Sequence, residues 1–391
     1  MMTMTFEQRL STVLAGRVPD RVPCIPLVYY FAASVAGISA YELISSMSAY
    51  RSAIDACFWE AGPFDAMYPL PISMDYPDFN VTYVGGTGLK PVMPPGPEDP
   101  TAMLQTPETQ TLMAEDDYRA MIESDAPGPA GPLLEFMVRL VARNHGEEPG
   151  YGVLARRFLP SFAILAGRWL AEMARWRRRG VPFFMSFGFE APFDTFSMAR
   201  GVTDISLDLK RRPDEVREAA LRMASGMAFI AWMACTFTRV PRFLLMLHRT
   251  SNDFISPRQF AEICYPGVKL IADYLAERGI SFSMHCDGNW DANLEIMTTL
   301  PENSCFQFDG ATDIFRAREV LGDRYVIMGD VDAGMLAYAE PAEVEAYCAR
   351  LIDEVGANGR FILSSGCELP INARLENVQA MVRAARTHGR Y

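Results

Sequence analysis

Eight short apolar runs, separated by stretches with helical spacing, constrain this chain more than any other feature. They occupy residues 24–29, 65–70, 182–188, 243–247, 280–285, 305–308, 325–328 and 361–363. Apolar runs that alternate with helices read as buried parallel strands, because the crossover helices cover both faces of the sheet. Eight such units suffice to close a (β/α)8 TIM barrel, and 391 residues fit one barrel with insertions. We therefore expect an α/β fold, with residues 1–391 forming one barrel domain. A helical segment over 6–15 stops at Gly16 and feeds the first strand through the rigid turn Pro19-Asp20-Arg21-Val22-Pro23. Residues 71–130 break the rhythm and read as an insertion over the barrel mouth. Within it, 80–84 and 89–93 read as a hairpin joined by Gly85-Gly86-Thr87-Gly88.

In such a barrel the reactive groups lie at the C-terminal strand ends. Taken in order, those ends carry Tyr29 and Tyr30, Tyr68, Glu190 and Asp194, His248 and Arg249, His285 and Asp287, Asp309, Asp330, and Cys367. The densest cluster is Ser283-Met284-His285-Cys286-Asp287. Strand alternation places Ser283, His285 and Asp287 on one face and sends Met284 and Cys286 to the other. Cys367, at the end of the eighth run, reaches the same mouth. His285, Asp287 and Cys367 are the candidate metal ligands, although Asp287 also suits the cap of a helix starting near 290–293. Asp287, Glu190 and His248 are the candidate catalytic groups. Tyr29, Tyr30, Tyr68, Arg249, Asp309 and Asp330 are expected to line a substrate site.

Composition narrows the partners. A formal charge of -12 argues against nucleic acid, whose phosphates need a basic surface. The one basic cluster, Arg175 to Arg179 around Trp176, reads as a solvated helix end. The eight cysteines are scattered, with no CxxC pair and no signal-peptide pattern, as expected of a cytoplasmic protein. The longest apolar run, 227–237, falls short of the roughly 18 residues of a membrane span, so no membrane partner is expected. No glycine-rich phosphate loop or dinucleotide fingerprint occurs, and no bound nucleotide is expected.

Four segments carry a family resemblance. They are Gly16-Arg17-Val18-Pro19-Asp20-Arg21-Val22-Pro23, His285-Cys286-Asp287-Gly288, Gly322-Asp323-Arg324 through Gly329-Asp330-Val331-Asp332, and Ser365-Gly366-Cys367-Glu368-Leu369-Pro370 with Glu376-Asn377. Together they resemble the uroporphyrinogen decarboxylase superfamily over nearly the whole chain, most specifically in its last third. The resemblance implies the same barrel. True uroporphyrinogen decarboxylases hold their acidic tetrapyrrole with an Arg-x-x-x-Arg signature after the first strand. Here that place reads Val28-Tyr29-Tyr30-Phe31-Ala32-Ala33, without an arginine.

The other branch is similar to methyltransferases that work with corrinoid proteins, where a His-x-Cys pair and a distant cysteine hold zinc. This chain matches that pattern at His285 and Cys367 but carries Asp287 in the middle position. Zinc accepts His, Asp and Cys ligands at about 2.0 to 2.3 Å. A carboxylate donates less charge than a thiolate, which leaves a harder Lewis acid suited to an oxygen substrate such as a methyl ether. The resemblance therefore implies methyl transfer, in effect demethylation of a small methylated compound. No cobalamin-binding Asp-x-His-x-x-Gly segment occurs, so the corrinoid is expected on a partner protein. It also implies a homodimer. The alternatives are a metal-free decarboxylase or lyase acting on a non-porphyrin carboxylate, and a barrel that only binds a small ligand.

Overall fold

Residues 3–68, 73–94, 98–99, 102–103, 111–126 and 128–391 are described by the computed structural model. Six parallel strands form one sheet in chain order: β1 (Phe187–Glu190), β2 (Arg242–Leu247), β3 (Ser281–Cys286), β4 (Cys305–Phe308), β5 (Val326–Val331) and β6 (Phe361–Ser365). These are the last six of the eight apolar runs. The first two appear as bridges: Cys24 pairs with Leu363, Leu27 with Glu368, and Met67 with Phe183, all parallel.

Backbone hydrogen bonds carry the ladder through these bridges. Ile25 donates to the Leu363 carbonyl at 2.9 Å, Asp65 to Cys24 at 2.9 Å, Met67 to Pro182 at 2.8 Å, and Ser186 to Arg242 at 2.7 Å. The circuit of eight segments thus closes as a barrel. The first segment stays short of a regular strand because Pro23 and Pro26 have no N–H to give the ladder. In the second run, residues 69 and 70 lie outside the described residues.

Alternation divides the strand side chains between two cores. Ile25, Leu27, Ala66, Phe184, Leu244, Cys305, Val326, Met328 and Ile362 fill the barrel interior. Met284, Cys286, Phe306 and Phe308 point outward into the larger core shared with the helices. The helix Phe6–Leu14 starts at a capping box formed by Thr5 and Gln8. Its Leu10, Val13 and Leu14 join the interior cluster, so this helix plugs the N-terminal end of the barrel.

One buried carboxylate holds that end together. Asp65, 1% exposed, accepts Arg9 Nη1 at 2.6 Å, both terminal nitrogens of Arg21 at 2.8 Å, and the Cys24 backbone N–H at 2.8 Å. Arg9 also donates to Asp20 through Nε and Nη2. The Asp20-Arg21 pair of the opening turn therefore serves as an ionic latch between the plug helix and the first two segments.

The insertion differs from expectation. Residues 79–87 form a helix, and the described residues of 89–93 contain no strand, so the hairpin is overturned. Val81 and Val84 are both buried at helical spacing, and Gly88 ends the helix with φ at 76°. The glycines that read as a hairpin turn are a helix end. The Arg175–Arg179 cluster is the end of the helix Leu159–Arg178, with Arg177, Arg178 and Arg179 exposed, while Arg175 and Arg179 also flank buried Trp176 at 4.8 and 4.9 Å and pair with Asp55. Finally, the helix around 227–237 runs Pro213–Thr238 and is long and apolar enough to cross a membrane. Its Val216, Ala219, Ala220, Met223, Met227 and Ala231 are buried in the core shared with Tyr265–Ala276. Met233 and Phe237 on the opposite side are exposed.

Removing Asp65 leaves two arginines at the barrel base without their shared counter-ion. Asp65→Ala is expected to cost about 3–5 kcal/mol in urea unfolding, the range for breaking a buried ion pair from one side. A loss below about 1 kcal/mol would show that closure does not depend on this latch.

Candidate metal centre

Two strand ends deliver the centre. On β3, His285 points into the mouth while Met284 and Cys286 pack outward. Met246, His285 and Gln307 lie side by side on β2, β3 and β4. Just beyond β6, the chain turns through Gly366, whose N–H donates to the Val331 carbonyl. A Cβ at Gly366 would sit 2.3 Å from the Asp309 carbonyl oxygen, so no larger residue fits this approach. The turn presents Cys367 to His285 across 82 residues of sequence, with Sγ 3.6 Å from Nε2.

Asp287 follows on the loop after β3. Its backbone N–H donates to Leu247 at 3.0 Å, its carbonyl accepts Trp290 Nε1 at 2.8 Å, and the next N–H, of Gly288, reaches Asp309 Oδ2 at 2.7 Å. The short helix that begins at Asp291 has no side-chain cap. Asp287 is therefore not a helix cap. Its carboxylate turns into the mouth instead, where Oδ1 lies 2.8 Å from His285 Nε2 and Oδ2 accepts a hydrogen bond from His248 Nδ1.

One ligand atom each from His285, Asp287 and Cys367 comes within 4.8 Å of the others. Asp287 Oδ1 is buried, and it pairs with the His285 imidazole at 2.8 Å. Buried donor atoms this close to one another can share a cation in place of the proton between them. Imidazole, carboxylate and thiolate are all zinc ligands, and three protein ligands leave one position for substrate. The residues fit the metal.

The same groups pair strongly with one another. Burial alone lowers the His285 pKa, but the adjacent Asp287 carboxylate, helped by Cys367, raises it to about 10. Burial opposes ionisation of Asp287, but His248 and His285 outweigh it and hold its carboxyl well below the usual range. His248 lies between two carboxylates, with Nε2 3.1 Å from Glu190 Oε2. Its pKa rises well above normal despite burial, through Glu190 first and then Asp287.

Of the sequence candidates, the fold gathers His285, Asp287, Cys367, His248 and Glu190 around one point. Asp194, fully buried, accepts the His248 N–H at 2.8 Å and the Thr250 hydroxyl at 3.1 Å, anchoring the strand end that carries His248. Tyr29 and Tyr30 meet edge-on with centroids 4.1 Å apart. Tyr68 lies deeper, where its hydroxyl donates to Gln307 Oε1 at 2.9 Å.

Three candidates are engaged by the protein's own groups. Arg249 donates from Nη1 to the Ser197 carbonyl at 2.9 Å. Asp309 spends its oxygens on the N–H groups of Gly288 and Ala311, and Asp330 accepts the Tyr347 hydroxyl at 2.8 Å. The two aspartates hold loops and a helix in place.

Three residues went unread. Gln307, in the middle of β4, donates to the Ser365 and Gly366 carbonyls at 3.3 and 3.4 Å and so supports the Cys367 turn. It shares a strand face with Asp309, and alternation alone marks it. Glu368 stands beside Cys367, where burial and the Asp287 charge, offset by His285 and His248, push its carboxyl up to about 7. Tyr83, on the helix that replaced the hairpin, feels the charges of Glu190 and Glu368, so this residue lies near the mouth. A separate cavity of about 570 Å³ opens at the other end of the barrel, lined in part by Arg9, Arg21, Arg179 and Arg386. The first three of these arginines are paired with Asp20, Asp65 and Asp55.

The family described as uroporphyrinogen decarboxylase (URO-D) matches residues 178–388, a stretch that holds β1 to β6 and all three candidate ligands. No curated protein matches the sequence. Among solved structures, a methyltransferase from Methanosarcina mazei aligns with a TM-score of 0.70 and 17% identity, covering 98% of each chain. At that identity the likeness is one of fold.

Burial pushes the Asp330 carboxyl up to about 6 even though Tyr347 donates to it. The folded state thus binds this proton more tightly than the unfolded chain, whose aspartate titrates near 3.9. The resulting stabilisation is present below pH 4 and is lost as pH rises through 6. Relative to wild type, Asp330→Asn should gain about 3 kcal/mol of stability between pH 4 and pH 7, measured by urea unfolding at each pH. A pH-independent difference would contradict this assignment.

Proposed function

Because the chain belongs to the uroporphyrinogen decarboxylase family, we propose that it is one of that family's methyltransferases. In this reading it moves a methyl group between a small methylated substrate, such as a methyl ether, and a separate corrinoid protein. The observation that carries the reading is the convergence of His285, Asp287 and Cys367 within 4.8 Å, with the buried Asp287 Oδ1 turned toward His285 Nε2. Zinc bound there supplies a Lewis acid that polarises a substrate oxygen or activates a methyl acceptor.

The protein's own groups divide the remaining work. His285 and Cys367 are set by strand ends and hold the donor geometry, while Asp287 contributes a hard oxygen. Glu190 and His248, 3.1 Å apart, form a pair that can hold or pass a proton beside the centre. Tyr29, Tyr30 and Tyr83 supply aromatic surface at the mouth, which suits an apolar or ring-bearing methyl compound.

The sequence after the first strand disfavours the decarboxylase alternative, because positions 28–33 offer no arginine to hold a substrate carboxylate.

Elemental analysis of purified protein tests the reading. Wild type is expected to carry about one zinc per chain, with Asp287→Ala and Cys367→Ala losing most of it. His285→Ala is expected to abolish methyl transfer to added cob(I)alamin from a panel of methyl ethers. Equal and negligible metal in wild type and variants would sink the proposal.

A further inference from the structure

We propose that His248 is a positioning residue that reserves one oxygen of Asp287 for the metal and keeps the other away from it. This rests on the reading of His285, Asp287 and Cys367 as zinc ligands. The two oxygens of Asp287 stand in different environments. Oδ2 takes the hydrogen bond from His248 Nδ1, while Oδ1 is buried and faces the candidate ligand His285, 2.8 Å from its Nε2. A carboxylate with both oxygens available can grip a metal with two donors and fill the position that substrate needs. With Oδ2 committed to an imidazole, only Oδ1 is left.

The clamp needs a ring that does not swing, and the structure holds His248 from several sides. Glu190 Oε2 lies 3.1 Å from Nε2, opposite the Asp287 contact. The His248 backbone N–H donates to Asp194 Oδ1 at 2.8 Å, the Arg249 N–H reaches the same oxygen at 2.5 Å, and the Thr250 hydroxyl reaches Oδ2 at 3.1 Å. Asp194 is fully buried at the start of the helix Pro192–Arg200. A carboxylate accepts and does not donate, so the His248 proton facing Asp287 sits on Nδ1. The arrangement is an imidazole bridging a metal-ligand carboxylate and a second, fixed carboxylate, of the kind that orients metal ligands and tunes their affinity.

An asparagine at 248 places its amide nitrogen near the position of histidine Nδ1, so it preserves the donor to Oδ2 without the rest of the ring. This separates the clamp from mere filling of space. Wild type, His248→Ala, His248→Asn and Glu190→Gln would be compared for zinc affinity by competition with a chelator. The same proteins loaded with cobalt(II) would be compared by visible absorption. His248→Ala is expected to bind zinc roughly 10- to 100-fold more weakly. Its cobalt bands are expected to lose intensity, since five-coordinate cobalt absorbs less than tetrahedral cobalt. His248→Asn is expected to restore most of the wild-type spectrum, and Glu190→Gln to shift it partway.

Wild-type affinity and spectrum in His248→Ala would overturn the clamp while leaving the metal reading intact. If His248→Ala does not fold, an unchanged spectrum in Glu190→Gln overturns it instead. A wild-type protein that takes up neither metal overturns both readings together.

Discussion

Everything at the mouth depends on the barrel closing at its base. A parallel barrel brings its first and last strands together only if the connecting segments pair, and here two of the eight segments pair through bridges alone. Proline at 23 and 26 withholds ladder donors there. Side-chain ion pairs and the plug helix make up what the ladder lacks: Asp65 ties Arg9, Arg21 and the Cys24 backbone into one buried knot. With that knot in place, the β6 end lies opposite the β3 end, and Cys367 reaches His285.

The centre built on this frame is unusual in its balance of charge. Three carboxylates, Glu190, Asp287 and Glu368, crowd two histidines and a cysteine. The two histidines pair with the first two of these carboxylates, so the group can hold protons or, in their place, a metal cation. This balance depends on each further carboxylate nearby being capped. It explains why Asp194 is spent entirely on backbone and hydroxyl donors: a further free carboxylate would add repulsion, whereas one capped by N–H groups only fixes geometry.

Particular residues show how far the sequence could be read. His285 and Asp287 lie two apart on a strand and its end, so alternation alone placed them together. The chain's last apolar run placed Cys367 near them, because strand ends of one barrel share a mouth. Asp309 and Asp330 occupy equivalent strand-end positions, yet their carboxylates serve Gly288, Ala311 and Tyr347. Position along a strand does not say which partner a side chain meets. The 80–93 stretch failed for another reason: Gly85, Gly86 and Gly88 carry a turn signal, while Val81 and Val84 carry a helical one, and burial decided for the helix.

By itself, then, the sequence determined the eight apolar segments of the barrel, the first helix, the nearness of His285, Asp287 and Cys367, and the absence of an arginine at 28–33. Each of these follows from local periodicity or residue type, which the chain carries wherever it folds. Only the tertiary structure decided that Asp287 faces the mouth instead of capping a helix, that His248 bridges it to Glu190, and that Gln307 supports the Cys367 turn. Those side-chain contacts join residues 39 to 59 positions apart. Such pairings come into being when the barrel closes, and no local pattern encodes them.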